Sequence, residues 1–371
     1  MGLPLSTAPV RGAALALCAG LLLSGCGSDN NAGSADTLAS GSAIPCSNAA
    51  GQVLASGSSA QANAMNVWSI ALMEACPQAS INYKASSSGE GITSFAQGTV
   101  AFAGTDTPLR PDEVEASKAA CPGGRAIDLP MVGGPIVLGY HLSGVRNLVL
   151  DAATTADIFN GRITQWDDPA IARLNPGVAL PAQAIESFHR SDESGTTQNL
   201  AQYLKEAAPA HWPHPVTKQW PVQGGQAAAG SAGVAAQVKQ VEGSIGYFEL
   251  SYASGQSIPT VALSTGAGGP VAPSPDTASE AIAQARPVGS GSDLALELNY
   301  TTRAPGAYPL VLVTYEIVCD KGNRKETLAA VQAFLSYTAS PPGQNILSQA
   351  SYAPIPDAVI AMVRETVKKL S

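Results

Sequence analysis

The sequence predicts an α/β protein of two domains, and three observations carry that reading. The chain has 371 residues, long enough for two domains of ordinary size. One plan recurs three times along it: an apolar strand, a Ser/Gly-rich loop, then an amphipathic helix. Strands that alternate with helices in this way form parallel sheets. Two later strands, "AIDLPMVGGPIVLGYH" (Ala126–His141) and "AYPLVLVTYEIVC" (Ala307–Cys319), are each long enough to run from one domain into the other.

The N-terminus is a separate object. Arg11 precedes the short apolar core "GAALALCAGLLL", and "LSGC" (Leu23–Cys26) follows it. The core is too short to span a bilayer, so residues 1–25 read as a secretory signal. "LSGC" resembles the bacterial lipobox, in which Cys26 would be acylated and become the mature N-terminus. Lipid would then hold the protein on the outer face of the cytoplasmic membrane. "GSDNNAGSADTLASGSAIP" (Gly27–Pro45) is small and polar, so 26–50 reads as a flexible tether.

Removing the signal takes one Arg and no acids, leaving 19 basic against 28 acidic residues, a net −9. No basic stripe is present, which excludes nucleic acid as a partner. An anion bound here must be held by local dipoles. Of six cysteines, Cys18 leaves with the signal and Cys26 takes lipid. Cys46, Cys76, Cys121 and Cys319 remain, without zinc-like spacing, in an oxidising compartment. Three pairings are open. Cys46 and Cys76 each precede a strand of one sheet, which favours Cys46–Cys76 with Cys121–Cys319.

The first strand–loop–helix unit is Gln52–Ala55, Ser56–Ser59 and Ala60–Ala75, with Ala64, Val67, Trp68, Ala71, Leu72 and Ala75 at helical spacing. The second is Ile81–Ala85, Ser86–Gly91 and Ile92–Gly98, with Ile92, Phe95 and Ala96 on one face. The third is Ala184–His189, Arg190–Gly195 and Thr196–Ala207, with Leu200, Tyr203, Leu204 and Ala207 on one face. A fourth strand, Thr99–Asp106, ends on a carboxylate. Gly224–Gly233 is Gly/Ala-rich and poor in structure signals. Glu326–Ser340 reads as a helix before a Pro-Pro break.

In parallel α/β sheets ligands bind beyond the C-terminal strand ends, where helices begin. Helix N-termini offer unpaired N–H groups and a positive dipole end. Ser, Thr and Gly there allow close backbone approach, so the three loops are three candidate anion corners. Plain N-capping explains any one such loop. It explains less well three alike, one of which carries Arg190.

His189, Asp192 and Ser194 could be drawn as a hydrolase triad. All three lie on one short loop, whereas triad members converge from separated loops, and no G-x-S-x-G elbow surrounds Ser194. "HWPH" (His211–His214) reads as a loop between prolines, not a metal pair. The residues therefore point away from catalysis.

"HRSDESGTT" (His189–Thr197) resembles the R-x-D-x-S-G-T loop of the phosphate-binding proteins that serve Pst-type ABC transporters. "ASGSSA", "NYKASSSGEGI" and "VAFAGTDTPL" are similar to that family's two other Ser/Gly loops and its G-A-S-D-x-P-L segment, in the same order. "GRITQWDDPAIARLNPGVALP" (Gly161–Pro181), "GSIGYFELSYA" and "AYPLVLVTYEI" continue the likeness, which runs from about Gln52 to the end. The resemblance implies a periplasmic-binding-protein-like fold with an interdomain cleft and a hinge of two strands. Its domains would be 51–138 with 313–371, and 139–312. It implies phosphate held by Arg190, with Asp192 fixing the guanidinium, and donors from Ser194, Gly195 and Thr196. Ser88 would donate from the second loop, Ser58, Ser59 and the N–H of Ala60 from the first, and Asp106 would be the one acceptor. Ala60 departs from a bulkier apolar residue, and Glu90 stands in a loop that is often only Ser/Gly; it is expected to turn to solvent. The resemblance also implies a monomer, an ABC permease as partner, and neither metal nor cofactor. Another oxyanion or phosphoester as ligand, or a secreted phosphatase on the same scaffold, are the alternatives.

Overall fold

A computed structural model describes Ile44, Cys46, residues 48–266 and residues 268–371. The signal sequence, Cys26 and most of the tether lie outside the described residues. The first half of the molecule is built from β1 (Gly51–Ser58), α1 (Ala62–Ala75), β2 (Ala79–Ser86), α2 (Ser88–Ala96), β3 (Phe102–Thr105) and α3 (Pro111–Ser117). β4 (Ala126–His141) leads into the second half: β5 (Val149–Asp151), α4 (Ala152–Phe159), α5 (Pro169–Leu174), β6 (Glu186–Arg190), α6 (Gly195–Ala207), β7 (Gln226–Ala228), α7 (Gly230–Gln240), β8 (Ser244–Glu249), α8 (Leu250–Gln256) and β9 (Ala262–Ser264). After α9 (Pro275–Ile282), β10 (Arg286–Pro287) and β11 (Leu296–Glu297), the chain returns along β12 (Val311–Cys319). It ends with α10 (Lys325–Thr338), α11 (Pro341–Asn345) and α12 (Asp357–Val367).

One curled sheet of eight strands runs through both halves in the order β2-β1-β3-β12-β4-β8-β6-β7. β4 makes it continuous. Its Ala126–Pro135 stretch pairs antiparallel with β12, and Ile136–His141 pairs antiparallel with β8. The two long apolar strands of the sequence are thus the two-strand hinge. On either side the pairing is parallel, β2-β1-β3 in the first half and β8-β6-β7 in the second, as the strand–loop–helix plan requires. The chain from α9 to β11 crosses back over the hinge, where Leu294 N donates to Asp128 O over 3.0 Å.

Every residue of β12 is buried, and of β4 all but His141. Such predominantly apolar runs are what strands covered on both faces need. Trp68 of α1 meets Phe334 of α10 edge-on, and Phe334 stacks on Phe102 of β3; each such ring contributes about 1.5–3 kcal/mol by leaving water. The Gly161–Pro181 signature is scaffold: Trp166 is fully buried with its Nε1 donating to Gly243 O, and Asn175 Nδ2 donates to Val149 O and Ile171 O. Disulfides join Cys46–Cys76 and Cys121–Cys319, the favoured of the three pairings. No helix among the described residues is long and apolar enough to cross a membrane.

Two local readings need correction. β1 does not stop at Ala55; it continues through Ser58 because its parallel pairing with β2 continues to Ser58↔Ser86. Gly224–Gly233 is not structureless. It contains β7 and the start of α7, whose Val234, Ala235 and Val238 are fully buried. Gly230 and Gly233 lower the intrinsic propensity of that helix, and tertiary burial overrides it.

Candidate functional site

Each Ser/Gly loop opens a helix, and all of them meet at the cleft. At the end of β1, Ser58 Oγ accepts from Ala60 N (3.0 Å) and caps the short turn Ser59–Gln61 that leads into α1. At the end of β2, Ser87 caps α2 by accepting from Glu90 N (3.1 Å). That leaves the next hydroxyl free to span the cleft. Ser88 Oγ accepts from Asp106 N (3.2 Å) and from Gly195 N (3.1 Å) of the other half. Glu90 turns outward to an exposed ion pair with Lys84.

From the second half, β6 ends on Arg190, which is 2% exposed. Its Nε and Nη2 lie 2.7 and 2.5 Å from the two oxygens of Asp192, a bidentate pair that fixes the guanidinium plane. Two of five N–H donors are thereby used. Burial pushes the Asp192 carboxyl up, but the hydrogen bonds and charge of Arg190 outweigh it and hold the group below its ordinary range. Ser194 caps α6 by accepting from Thr197 N (3.2 Å). Tyr247 holds both pieces: its OH accepts from Arg190 N (3.1 Å) and is 2.7 Å from Thr197 Oγ1.

Asp106, 2% exposed, stands between the halves. Thr196 Oγ1 donates to its Oδ2 (3.0 Å) and Thr314 Oγ1 to its Oδ1 (2.9 Å), while Asn199 Nδ2 donates to its backbone carbonyl (2.8 Å). Burial raises the Asp106 pKa above its ordinary value; the hydroxyls of Ser58, Thr314 and Thr196 and the Arg190 charge oppose that rise.

The structure thus brings Ser58, Ser59, Ala60, Ser88, Asp106, Arg190, Asp192, Ser194, Gly195 and Thr196 to one cleft, which is closed. Direct bonds cross it at Ser88–Gly195, Asp106–Thr196 and Gly89 N to Glu193 O (2.9 Å). Sequence reasoning missed a further helix start. Ser231 N donates to Ser59 Oγ (2.9 Å) and Gly230 N to Asp192 Oδ1 (3.3 Å), so α7 also opens at the cleft. The recurrence of Val234, Val238 and Val241 was the available signal. It also missed Thr314 and Tyr247, which lie in apolar strand runs.

His189 forms no hydrogen bond to Ser194 among the described residues. Its Nδ1 lies 3.0 Å from Arg190 O and its ring stacks on Trp220. His211 Nδ1 faces Asp157 Oδ2 (2.8 Å) and His214 Nε2 faces Asn160 Oδ1 (2.7 Å), so the "HWPH" side chains go to separate partners. Among the described residues no group of three or more His, Cys, Asp or Glu side chains could hold a metal ion.

Two α/β halves on a two-strand hinge, with helix starts facing each other across the closed cleft, define a protein of the periplasmic-binding class. A sequence model of the PBP superfamily domain matches residues 45–342. The chain is 45% identical over 353 residues to Phosphate-binding protein PstS 3 of Mycobacterium leprae (strain TN), covering 94% of this chain and 95% of that one. It is 42% identical over 342 residues to Phosphate-binding protein PstS 3 of Mycobacterium tuberculosis (strain ATCC 25618 / H37Rv), covering 91% and 92%. The chain belongs to the PstS family of phosphate-binding proteins. Among solved structures, a high affinity periplasmic phosphate-binding protein (PfluDING) bound with phosphate superposes with a TM-score of 0.69 at 20% identity, covering 85% of this chain and 93% of that one. A phosphate-binding protein from Stenotrophomonas maltophilia superposes with a TM-score of 0.64 at 18% identity, covering 85% and 94%. Both share the fold.

Proposed function

We propose that this chain captures inorganic phosphate outside the cytoplasm and delivers it to an ABC permease for import. One observation carries the reading: a buried Arg190, locked by Asp192, faces helix starts and a single carboxylate, Asp106, across a closed cleft. Arg190 supplies the counter-charge, and Ser58, Ser59, Ala60 N, Ser88, Ser194, Gly195 and Thr196 supply donors. In the dry cleft each charge-assisted hydrogen bond strengthens. Asp106 accepts from the proton that phosphate retains at neutral pH. Sulfate retains none and would meet the carboxylate lone pair to lone pair, which selects against it.

In the same reading the domains are 51–138 with 313–371, and 139–312. They work as a monomer, with residues 1–25 as signal and Cys26 as lipid anchor on the outer membrane face. Binding requires neither cofactor nor metal and involves no catalysis. Calorimetric titration of the mature protein with phosphate and sulfate, beside an assay with p-nitrophenyl phosphate, tests the proposal. Stoichiometric uptake of phosphate over sulfate without ester cleavage is expected. Turnover of the ester would favour a phosphatase, and binding of a different anion would reassign the ligand.

A further inference from the structure

We propose that Thr314 is the positioning residue that orients Asp106 and keeps it an acceptor, and so sets discrimination between protonated and unprotonated oxyanions. The inference rests on the phosphate reading above. Thr314 sits on β12, the returning hinge strand, and is fully buried. Its neighbours there, Val311, Leu312, Val313, Tyr315 and Ile317, are apolar or aromatic core residues. A hydroxyl in such a run costs free energy unless it is hydrogen-bonded.

The pairing is irregular at this residue. Thr314 pairs with Val132 of β4, but Tyr315 pairs with Pro130, so Met131 has no partner. The extra residue lies on β4, so β4 carries the bulge, and Thr314 keeps the alternation of β12, on the same face as Glu316. β12 pairs with β3 at Tyr315↔Thr105, which sets Thr314 beside Asp106, and the Thr314 hydroxyl donates to Asp106 Oδ1 over 2.9 Å.

Three hydroxyls act on Asp106: Ser58, Thr196 and Thr314. Ser58 ends β1 and Thr196 opens α6 on either wall of the cleft, and both are candidate ligand donors. A hydroxyl has one proton, so each that turns to the anion stops donating to Asp106. Thr314 lies inside β12 and not at an element end that meets the ligand, so it stays. It holds Oδ1, leaving Oδ2 to face the ligand, and its donation favours the ionised carboxylate. Other groups in the field of Asp106 are Arg190 on β6, Tyr83 on β2, Glu249 on β8, Tyr252 on α8, Glu316 on β12 and Tyr300 in the segment between β11 and β12. Of these only Arg190 stabilises the anion. Without Thr314, Asp106 takes a proton more readily and can donate to sulfate.

The test is Thr314→Val, which conserves volume and suits a strand, with Thr314→Ser as the rescue. Phosphate and sulfate affinities are measured by calorimetry from acid to alkaline pH on the mature protein. Thr314→Val should lower the phosphate-to-sulfate ratio about tenfold or more, the size of one hydrogen bond to a charged group. It should also shift the pH profile of phosphate binding upward, and Thr314→Ser should restore both. A merely structural role would weaken both anions alike and leave the ratio and profile unchanged. That result in a protein whose wild type selects phosphate overturns this inference alone. A wild type that does not bind phosphate overturns the functional reading and this inference with it.

Discussion

Lys218 Nζ lies 3.0 Å from Glu113 Oε1, an ion pair that joins the two halves across the cleft with side chains only 6% and 11% exposed. Removing one partner of a buried pair costs about 3–5 kcal/mol when the other charge is stranded. Here Arg110 Nη1, 2.7 Å from the same oxygen, keeps Glu113 paired. Lys218→Met should therefore cost the closed state less, about 1–2 kcal/mol, and weaken phosphate binding roughly tenfold. The ligand-free variant should also show a larger radius of gyration in solution scattering. An unchanged affinity would mean the pair does not bias closure.

Arg190→Ala removes the buried guanidinium at the end of β6 and leaves Asp192 without its bidentate partner. Loss of a buried counter-charge at an interface costs about 2–5 kcal/mol, so calorimetry should find phosphate binding weakened by at least tenfold. Part of the loss is indirect, because Asp192 also accepts from Gly230 N at the start of α7. Full affinity in the variant would exclude this loop as the site.

Much of this site was legible because its residues do boundary work. Ser58, Ser87 and Ser194 cap helices, and Asp106 follows directly on the end of β3. Those tasks demand particular residue types at particular places along the chain. Thr314, Tyr247 and Lys218 do no boundary work. Thr314 reads as one more β-branched residue in a strand, and only the pairing of β12 beside β3 brings its hydroxyl to Asp106. The start of α7 was hidden for a different reason. Gly230 enters the helix with a φ of +68°, and Ser59 meets Ser231, 172 positions later in the chain, only because the chain folds back.

Glu316 on β12 is fully buried, and among the described residues neither carboxyl oxygen has a hydrogen-bond partner. Burial pushes its pKa from 4.5 to about 8, and the nearby Gln61 amide offsets only part of this. The folded state thus favours the protonated form. That contribution is fully present below 4.5, shrinks as the unfolded chain sheds its proton, and is gone once pH passes about 8. Burial raises Asp106, Asp128 and Glu249 in the same direction. The unfolding midpoint in denaturant should fall steadily from mildly acid to alkaline pH. Glu316→Gln should flatten that slope, gaining about 2–5 kcal/mol on the alkaline side at roughly 1.4 kcal/mol per pKa unit. A wild-type midpoint that rises with pH would contradict the sign.

Gly195 is the first residue of α6, and its backbone is not in the left-handed region. The helix itself would accept alanine, the residue with the best helix propensity. What forbids a side chain is the opposite half. A Cβ at Gly195 would lie 2.6 Å from Ser88 Oγ, 2.7 Å from Asp106 Cβ and 3.0 Å from Asp106 N. All three atoms belong to the first half, and two are on the stiff turn after β3. With the halves apart, none of these contacts exists. Gly195→Ala should therefore leave the melting temperature of the ligand-free protein nearly unchanged or slightly raised. Closure would carry the overpacking cost of about 1–3 kcal/mol or more, which also stretches the Ser88–Gly195 hydrogen bond. Phosphate affinity should fall ten- to hundredfold, mainly through faster release. This split between an intact fold and lost binding separates a closure defect from a folding defect. If Gly195→Ala binds phosphate as the wild type does, the halves do not meet at Gly195 in the bound state.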